Sequence, residues 1–250
     1  MRILNVNYDN ISMAEALEKA CYLLRENSKS NVFFLNADCL YKAQKDSRYR
    51  DILNSAQLLL PDGIGLRIVT ELFGGKMKDN CNGTDFSPLF MERAAKEGYR
   101  IFFLGGKEGV AEKAAENTRK TIPEILIVGT HSGYFDDDGL LINTINNSGA
   151  DILFVAMGVP AQEKWIYQNR VKLNPKLYLG VGALLDYLSG HIVRAPKFIR
   201  AIHLEWLWRI GVEPKRMFKR YIVDGLRLFW VVLRQKYSDL KLFKKRGDVN

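Results

Sequence analysis

The sequence predicts an α/β protein built on a mostly parallel sheet with helices on both faces. Short, continuous apolar runs alternate with stretches of helical periodicity up to about residue 190. Strands that are apolar at every position are typical of a parallel sheet that is covered on both sides. Strand–helix–strand alternation, with no internal repeat, then favours a doubly wound, Rossmann-like sheet with right-handed crossovers.

Five apolar runs are predicted to be the buried strands of this sheet. They are Asn31–Leu35, Arg100–Leu104, Ile125–Val128, Ile152–Met157 and Leu177–Val181. The helical stretches are Glu108–Lys120, Ala161–Val171 and Phe86–Lys96, the last with Thr84 or Asp85 as its N-cap. Ligands of such sheets bind beyond the carboxyl ends of the strands, so the residues that come after each strand are the candidates for chemistry.

Length and composition exclude several classes of protein. The chain has 250 residues, of which 47% are hydrophobic and 11% aromatic, which is enough for a core and too many for a disordered chain. Three widely spaced cysteines without a CxxC pair predict neither a zinc site nor a disulfide framework, and fit a reduced cytosolic chain. The sequence also predicts no signal peptide and no membrane-spanning helix.

The charge distribution divides the chain into a body, residues 1–190, and a basic appendage, residues 191–250. The appendage holds 15 Lys and Arg against 5 Asp and Glu, whereas the body holds 22 against 23. If residues 215–236 form one helix, its arginines and its large apolar side chains lie on opposite faces. This pattern favours a helix on an anionic membrane surface over nucleic acid, because the apolar residues fit an acyl boundary. A helix docked on the body is the alternative.

Residues directly after the predicted strands are candidates for binding a nucleotide. Gly105-Gly106 and Gly158 each come after a strand and are expected to open a helix, whose bare N–H groups suit a phosphate. Asn36 and Asp186 come after two other strands. Glycine also permits a tight turn without any ligand. Neither loop has the spacing of a dinucleotide fingerprint or of a P-loop, which disfavours NAD and ATP.

Asp62 is the candidate general base. It lies in LLLPDGIGL, between an apolar run and a glycine turn, where desolvation would raise the pKa of its carboxyl group. The alternative is that Asp62 caps the next helix. The triplet Asp136–Asp138 could hold a divalent ion, but its glycine-closed context favours a solvated turn. The three histidines lack metal-ligand spacing, and no metal site is predicted.

Taken together, these residues resemble the WecG/TagA/CpsF glycosyltransferases (glycosyltransferase family 26). The similar stretches keep the family order over nearly the whole chain. They are NADCLYKA (36–43), PDGIGL (61–66), NGTDF (82–86), FFLGG (102–106), HSGYF (131–135), FVAMGVPAQEKW (154–165), GVGALLDYLSG (180–190), RAPKFIR (194–200) and LEWLWRIGVEPKRMFKRY (204–221). The combination of FVAMGVPAQEKW, GVGALLDYLSG and LEWLWRIGVEPKRMFKRY is highly specific.

The resemblance implies an inverting transfer of a hexose or N-acetylhexosamine from a UDP-sugar to a sugar on undecaprenyl pyrophosphate. It implies a peripheral enzyme on the cytoplasmic face of the bacterial plasma membrane, in cell-surface polysaccharide or teichoic acid assembly. No metal ion or other cofactor is implied, and a homo-oligomer is left open. Two alternatives stay open on the residues alone: a nucleotide-sugar epimerase or dehydrogenase, and a non-catalytic membrane adaptor.

The resemblance also implies roles for single residues. Asp62 corresponds to the proposed base, Gln162 to a pocket glutamine, and Tyr134 and Asp186 to positions near the uridine. The basic positions implied to close over the site and hold a pyrophosphate are Arg209, Arg216 and either Lys219 or Arg220.

Two residues near the implied sugar pocket depart from the family pattern. Phe34 stands where better-studied members have Thr, and Asn80 where they have Arg. The sequence therefore leaves the donated sugar open.

Overall fold

The computed structural model describes residues 1–26, 28–201 and 204–247, with the side chains at positions 197, 201, 216 and 238–247 outside the description. Within these residues, six strands form one parallel sheet in the order β4-β3-β8-β7-β5-β6. They are β3 (Ser30–Leu35), β4 (Leu58–Pro61), β5 (Arg100–Gly105), β6 (Leu126–His131), β7 (Ile152–Ala156) and β8 (Leu177–Gly180). A small antiparallel hairpin, β1 (Arg2–Ile3) and β2 (Val6–Asn7), precedes them.

Helices cover both faces of the sheet. The helices of the body are α1 (Met13–Arg25), α2 (Ala37–Lys45), α3 (Ser47–Asn54), α4 (Gly63–Leu72), α5 (Gly83–Lys96), α6 (Val110–Thr121), α7 (Asp138–Asn147), α8 (Ala161–Asn169) and α9 (Leu184–Leu188). Helices α1, α5, α6 and α9 pack on one face, and α2, α3, α4, α7 and α8 on the other. In β3, Phe33 and Phe34 point to opposite faces and both are buried, which explains the continuous apolar run. The predicted α/β class is confirmed.

The structure corrects several predicted boundaries. The four-residue strand β4 was not predicted as a strand, and β6 continues past Val128 to His131. The N-cap of α5 is Asn82, whose side chain accepts a hydrogen bond from the Asp85 N–H at 2.9 Å, so the prediction of Thr84 or Asp85 is wrong.

The appendage continues the chain as short helices and then one long helix. Its elements are α10 (Lys197–Ala201), α11 (Glu205–Val212), α12 (Pro214–Phe218), a π-helical turn (Lys219–Val223) and α13 (Asp224–Gly247). Helix α13 packs on α2 and α4, and its Leu228 and Val232 join the core of the body. No helix among the described residues has the length and apolar character to cross a membrane.

The π-helical turn overturns the prediction of one regular helix over residues 215–236. A π turn places more residues in each turn than an α-helix and so changes the direction in which the later side chains point. As a result Arg220 is largely buried in contact with the body, whereas Arg227 is exposed. The single arginine stripe that regular periodicity predicts is therefore absent from the described part of this helix.

Candidate active site

A cleft of about 460 Å³ opens at the carboxyl ends of four adjacent strands, β4, β3, β8 and β7. Its body wall comes from the loops and helices that come after these strands. Its appendage wall comes from α11, α12, the π turn and the start of α13. The body wall includes Asn36, Asp38, Lys42, Asp62, Gly158, Gln162, Gly182 and Tyr187, and the appendage wall includes Arg209, Met217, Lys219, Arg220 and Asp224.

Asp62 comes directly after β4 and occupies the N-cap position of α4, but its side chain makes no capping hydrogen bond. Its carboxylate instead accepts a long hydrogen bond of 3.4 Å from Asn36 Nδ2. The backbone is held on both sides, since Asp62 N donates to Leu35 O at 2.8 Å and Gly63 N donates to Asn80 Oδ1 at 2.7 Å. Capping therefore does not explain Asp62, and its carboxylate is available to the cleft.

Burial raises the pKa of the Asp62 carboxyl group above its usual range. The positive charges of Arg220 and Arg209 and the hydrogen bond from Asn36 act in the opposite direction. A carboxylate with a raised pKa is a stronger proton acceptor than one in water, and this is what a general base requires.

Gln162 connects two turns of the body wall. Its side chain is 2% exposed, and its Oε1 accepts hydrogen bonds from Gly158 N at 3.1 Å and Gly182 N at 2.9 Å. Its Nε2 donates to Glu163 Oε1 at 2.8 Å. The expectation that Gly158 presents a bare N–H is therefore wrong, because Gln162 already accepts that bond.

Asp38 brings together a cation of the body and a cation of the appendage. Its Oδ2 lies 2.9 Å from Lys42 Nζ and 3.1 Å from Arg220 Nε. Asp38 and Lys42 were not predicted as cleft residues. Their spacing of four residues on α2, directly after a strand, was the available signal, because such pairs share one face of a helix.

Arg209 lines the cleft and has buried hydrogen-bond donors that are unused among the described residues. Its guanidinium carbon lies 5.6 Å from the centroid of the Tyr187 ring, and its Nη2 is 3.9 Å from Glu213 Oε2. Its Nε and Nη2 are buried and have no hydrogen-bond partner among the described residues. Buried donors without partners are costly, so this group is suited to an anionic ligand.

An ionic cluster attaches the start of the appendage to the body. Asp85 Oδ1 lies 2.7 Å from Arg194 Nη1 and 3.4 Å from Arg200 Nη1, and Arg194 Nε is 3.1 Å from Glu205 Oε1. Burial acts to raise the pKa of Asp85, but the hydrogen bonds from Arg194 and Asn82 outweigh it and hold the pKa below its usual value. This cluster positions α11, which carries Arg209.

Four predicted site residues lie outside the set that lines the cleft: Gly105, Gly106, Tyr134 and Asp186. Gly105 packs so closely on β7 that an added Cβ would lie 2.4 Å from Ala156 O. Gly106 accepts a hydrogen bond from Gly133 N at 2.8 Å, so it lies beside the loop of Tyr134 at the next part of the same sheet edge. Helix α6 begins only at Val110, so the prediction that the glycine pair opens it is wrong.

Tyr134 and Asp186 differ in exposure, and Lys219 and Arg216 are the two predicted basic residues whose places follow. Tyr134 is 74% exposed, whereas Asp186 is partly buried on α9, beside the cleft residue Tyr187. Lys219 lines the cleft. The side chain of Arg216 lies outside the described residues.

The turn interpretation of the acidic triplet is confirmed at Asp137. This residue is the N-cap of α7 and accepts hydrogen bonds from Gly139 N and Leu140 N at 2.7 and 3.1 Å. Asp138 accepts a hydrogen bond from the Trp165 indole at 2.6 Å. The described residues contain no group of three or more His, Cys, Asp or Glu arranged to hold a metal ion.

Comparison with known proteins agrees with this architecture. The family described as "Glycosyl transferase WecG/TagA/CpsF family" matches residues 1–241. Two similar proteins, from Bacillus subtilis and Bacillus spizizenii, carry the name N-acetylglucosaminyldiphosphoundecaprenol N-acetyl-beta-D-mannosaminyltransferase. The Bacillus subtilis protein is 31% identical over 240 residues, which cover 96% of this chain and 92% of the relative. The Bacillus spizizenii protein is 32% identical over 193 residues, which cover 77% of this chain and 75% of the relative. Because the match spans nearly the whole sequence, this chain belongs to the WecG/TagA/CpsF family of glycosyl transferases.

Proposed function

We propose that this enzyme transfers a sugar from a UDP-sugar, with inversion, to a sugar carried on undecaprenyl diphosphate, and that Asp62 is the general base. The observation that carries the proposal is the Asp62 carboxylate. It occupies a capping position without capping, its pKa is raised by burial, and it faces a cleft that also contains arginine side chains. Family membership supports glycosyl transfer over an NAD-dependent epimerase or dehydrogenase and over a non-catalytic adaptor.

In the proposed step, a hydroxyl oxygen of the acceptor attacks the anomeric carbon of the donor on the face opposite UDP. The new C–O bond forms as the bond to UDP breaks, and the electron pair of that bond leaves on the diphosphate. Asp62 takes the hydroxyl proton, which later passes to solvent. One displacement inverts the anomeric centre, and no covalent sugar–enzyme intermediate is needed.

The departing UDP gains negative charge, and the appendage wall offers positive charge to stabilise it. Arg209 has buried N–H groups without partners among the described residues, and Arg220 lies against Asp38. Donors held in position before the reaction favour the transition state, because they need little reorganisation as charge develops. Lys42 and Lys219 line the same cleft and add to this field.

The names of the two relatives favour an acceptor that ends in N-acetylglucosaminyl diphospho-undecaprenol and a donor that carries N-acetylmannosamine. Phe34 is the reason to test other donors. Its ring lies against Gly83 and Phe86 and lines the cleft. An aromatic wall offers no hydrogen bond to a sugar substituent, so UDP-glucose and other UDP-hexoses belong in the donor panel.

The exposed side of α13 supports peripheral binding to the cytoplasmic face of an anionic membrane. Leu226, Phe229 and Trp230 are 59%, 44% and 71% exposed. They lie on the helix that packs on the body through Leu228 and Val232. A helix with one docked face, an exposed apolar face and many basic residues suits a lipid interface.

The central test is Asp62→Asn in a transfer assay with a panel of UDP-sugars and an undecaprenyl-diphosphate-linked N-acetylglucosamine acceptor. Loss of a general base lowers kcat by about 10²–10⁴. We expect that loss, with UDP binding by calorimetry close to that of the wild type. The control is Asp136→Asn, an exposed carboxylate outside the cleft, which keeps its activity. Near-normal turnover of Asp62→Asn would refute the assignment of the base.

A further inference from the structure

The buried carboxyl group of Glu163 has no part in the mechanism above. Its side chain is 1% exposed in the first turn of α8, directly after Gln162. Glu163 Oε1 accepts the hydrogen bond from Gln162 Nε2 at 2.8 Å, and Oε2 has no hydrogen-bond partner among the described residues. A buried carboxyl oxygen without a partner is costly, so the presence of Glu163 calls for a reason other than stability.

The Gln162 amide supplies that reason, because its two ends are not interchangeable. Gly158 N and Gly182 N both point at Oε1, and both are donors. An amide turned by 180° would direct its own NH2 group at these two N–H groups and lose both bonds. When Glu163 is ionised, its Oε1 adds a third hydrogen bond that only the observed orientation makes.

We propose that Glu163 is a positioning residue: it fixes the orientation of the Gln162 amide, which in turn fastens the Gly158 turn to the Gly182 turn in the body wall. Gly158 comes after β7 and Gly182 after β8, and both turns line the cleft. Gln162 also packs on the end of β8, since a Cβ added at Gly180 would lie 3.1 Å from its Nε2. The activity readout of this proposal rests on the proposed function.

The surroundings of Glu163 show what the loss of its carboxyl group would remove. Burial raises its pKa to about 7, although the bond from Gln162 and the charge of Lys42 act against this rise. The other titratable groups that interact with it are Asp38 and Cys39 of α2 and Tyr49 of α3. Removing the Glu163 acceptor leaves Gln162 Nε2 as a buried donor without a partner, and this costs stability. Loss of the acceptor is therefore expected to lower the melting temperature as well as turnover, and a restored carbonyl acceptor is expected to recover both.

The experiment compares Glu163→Met, Glu163→Gln, Gln162→Met and the double variant in the full-length protein. Glu163→Met keeps the shape and removes the acceptor. We expect kcat to fall roughly tenfold to a hundredfold, as for other small displacements of a site, with a smaller change in KM and a lower melting temperature, because Gln162 Nε2 loses its acceptor. Glu163→Gln keeps a carbonyl acceptor and recovers most of the loss. The double variant equals Gln162→Met, since residues acting through one contact are not additive.

Hydrogen exchange at the Gly158 and Gly182 amides gives a readout that needs no substrate. Both amides are expected to exchange faster in Glu163→Met and to stay protected in Glu163→Gln. If the wild type transfers no sugar, the proposed function fails while this measurement still decides the role of Glu163. Unchanged exchange in Glu163→Met, wild-type kcat, or equal loss in Glu163→Gln and Glu163→Met would overturn the proposal.

Discussion

The two walls of the cleft hold their polar groups in different ways. In the body wall, side chains are hydrogen-bonded to one another and to the backbone. Asn36 accepts a hydrogen bond from Cys39 N and donates one to Asp62, and Gln162 makes three hydrogen bonds. In the appendage wall, Arg209 keeps buried donors without partners among the described residues. The body wall is thus largely bonded internally, whereas Arg209 of the appendage wall has buried donors that are suited to an anionic ligand.

We propose that the two walls have separate tasks. A general base needs a fixed position and a tuned pKa, and strand ends in a packed sheet provide both. Charge stabilisation needs donors that meet an anion when it arrives. Helices that are joined to the body by α13 packing and by the Asp85 cluster provide those donors. Ligand binding should accordingly stabilise the appendage more than the body.

The largest effect that separates the walls is expected for Arg220→Met. This change removes a cation that interacts with Asp62 and lines the cleft. Less positive charge then remains to stabilise the negative charge that is proposed to develop on UDP. We expect kcat to fall by about 10²–10³, the range for loss of one positioned donor. Arg234→Met is the matched control, because Arg234 lies on the same appendage, is exposed and does not line the cleft. Equal activities of the two variants would remove the appendage wall from catalysis.

The second effect concerns the body wall and is a shift in pH dependence. Asn36→Asp keeps a good N-cap for α2 but places a carboxylate beside Asp62, and a like charge raises the pKa of its neighbour. A base acts only when ionised, so a higher pKa moves the acid limb of the kcat profile to higher pH, by about one unit or more. Asn36→Ser also provides an N-cap for α2, but it only removes the amide donor to Asp62 and adds no charge. It should therefore shift the acid limb of the kcat profile less. Superimposable profiles of Asn36→Asp and wild type would contradict the role of Asn36.

The Asp85 cluster should give a smaller effect, limited to the docking of the appendage. Asp85→Asn removes the charge that faces Arg194 and Arg200, and we expect faster limited proteolysis near residues 190–204 with a decrease of a few fold in kcat. The pKa of Asp85 is held below its unfolded value, so its contribution to stability is present above that value and is lost as pH falls through the folded pKa. Between pH 6 and 8 docking should therefore not change. Glu15→Gln, which removes a surface pair with Lys78, is the control; equal proteolysis of both variants would refute the prediction.

The sequence predicted the body better than the appendage, and the reason is physical. Strands such as Ile152–Ala156 are buried on both faces, so their composition alone reveals them. Asp62 was proposed as the base from its place after an apolar run and before a glycine turn, together with the family resemblance, and a helix cap was the alternative. The bonds of Gln162 could not be predicted, because they join β7 and β8 turns that are about twenty residues apart in the chain.

Local periodicity failed where the backbone departs from regular geometry. The π turn at Lys219–Val223 rotates Arg220 away from the later arginines, and no residue in that segment marks such a turn. At Gly105, close contact with Ala156 explains the glycine, and such a contact depends on strand pairing. Both features arise from tertiary packing.

The smallest expected effect on turnover concerns the exposed face of α13, which tests whether the appendage also acts outside the cleft. Trp230→Ser removes a side chain that is 71% exposed and does not line the cleft, so kcat with a short-chain, water-soluble acceptor should stay unchanged. Binding to vesicles that contain phosphatidylglycerol should weaken, because burying one large apolar side chain contributes about 1.5 kcal/mol or more. That corresponds to about a tenfold lower partition coefficient in a sedimentation assay. Tyr22→Ser is the control, since Tyr22 is 58% exposed on α1 of the body. Equal vesicle binding of both variants would mean that α13 does not enter the lipid interface, and the basic residues of the appendage would then serve the diphosphate alone.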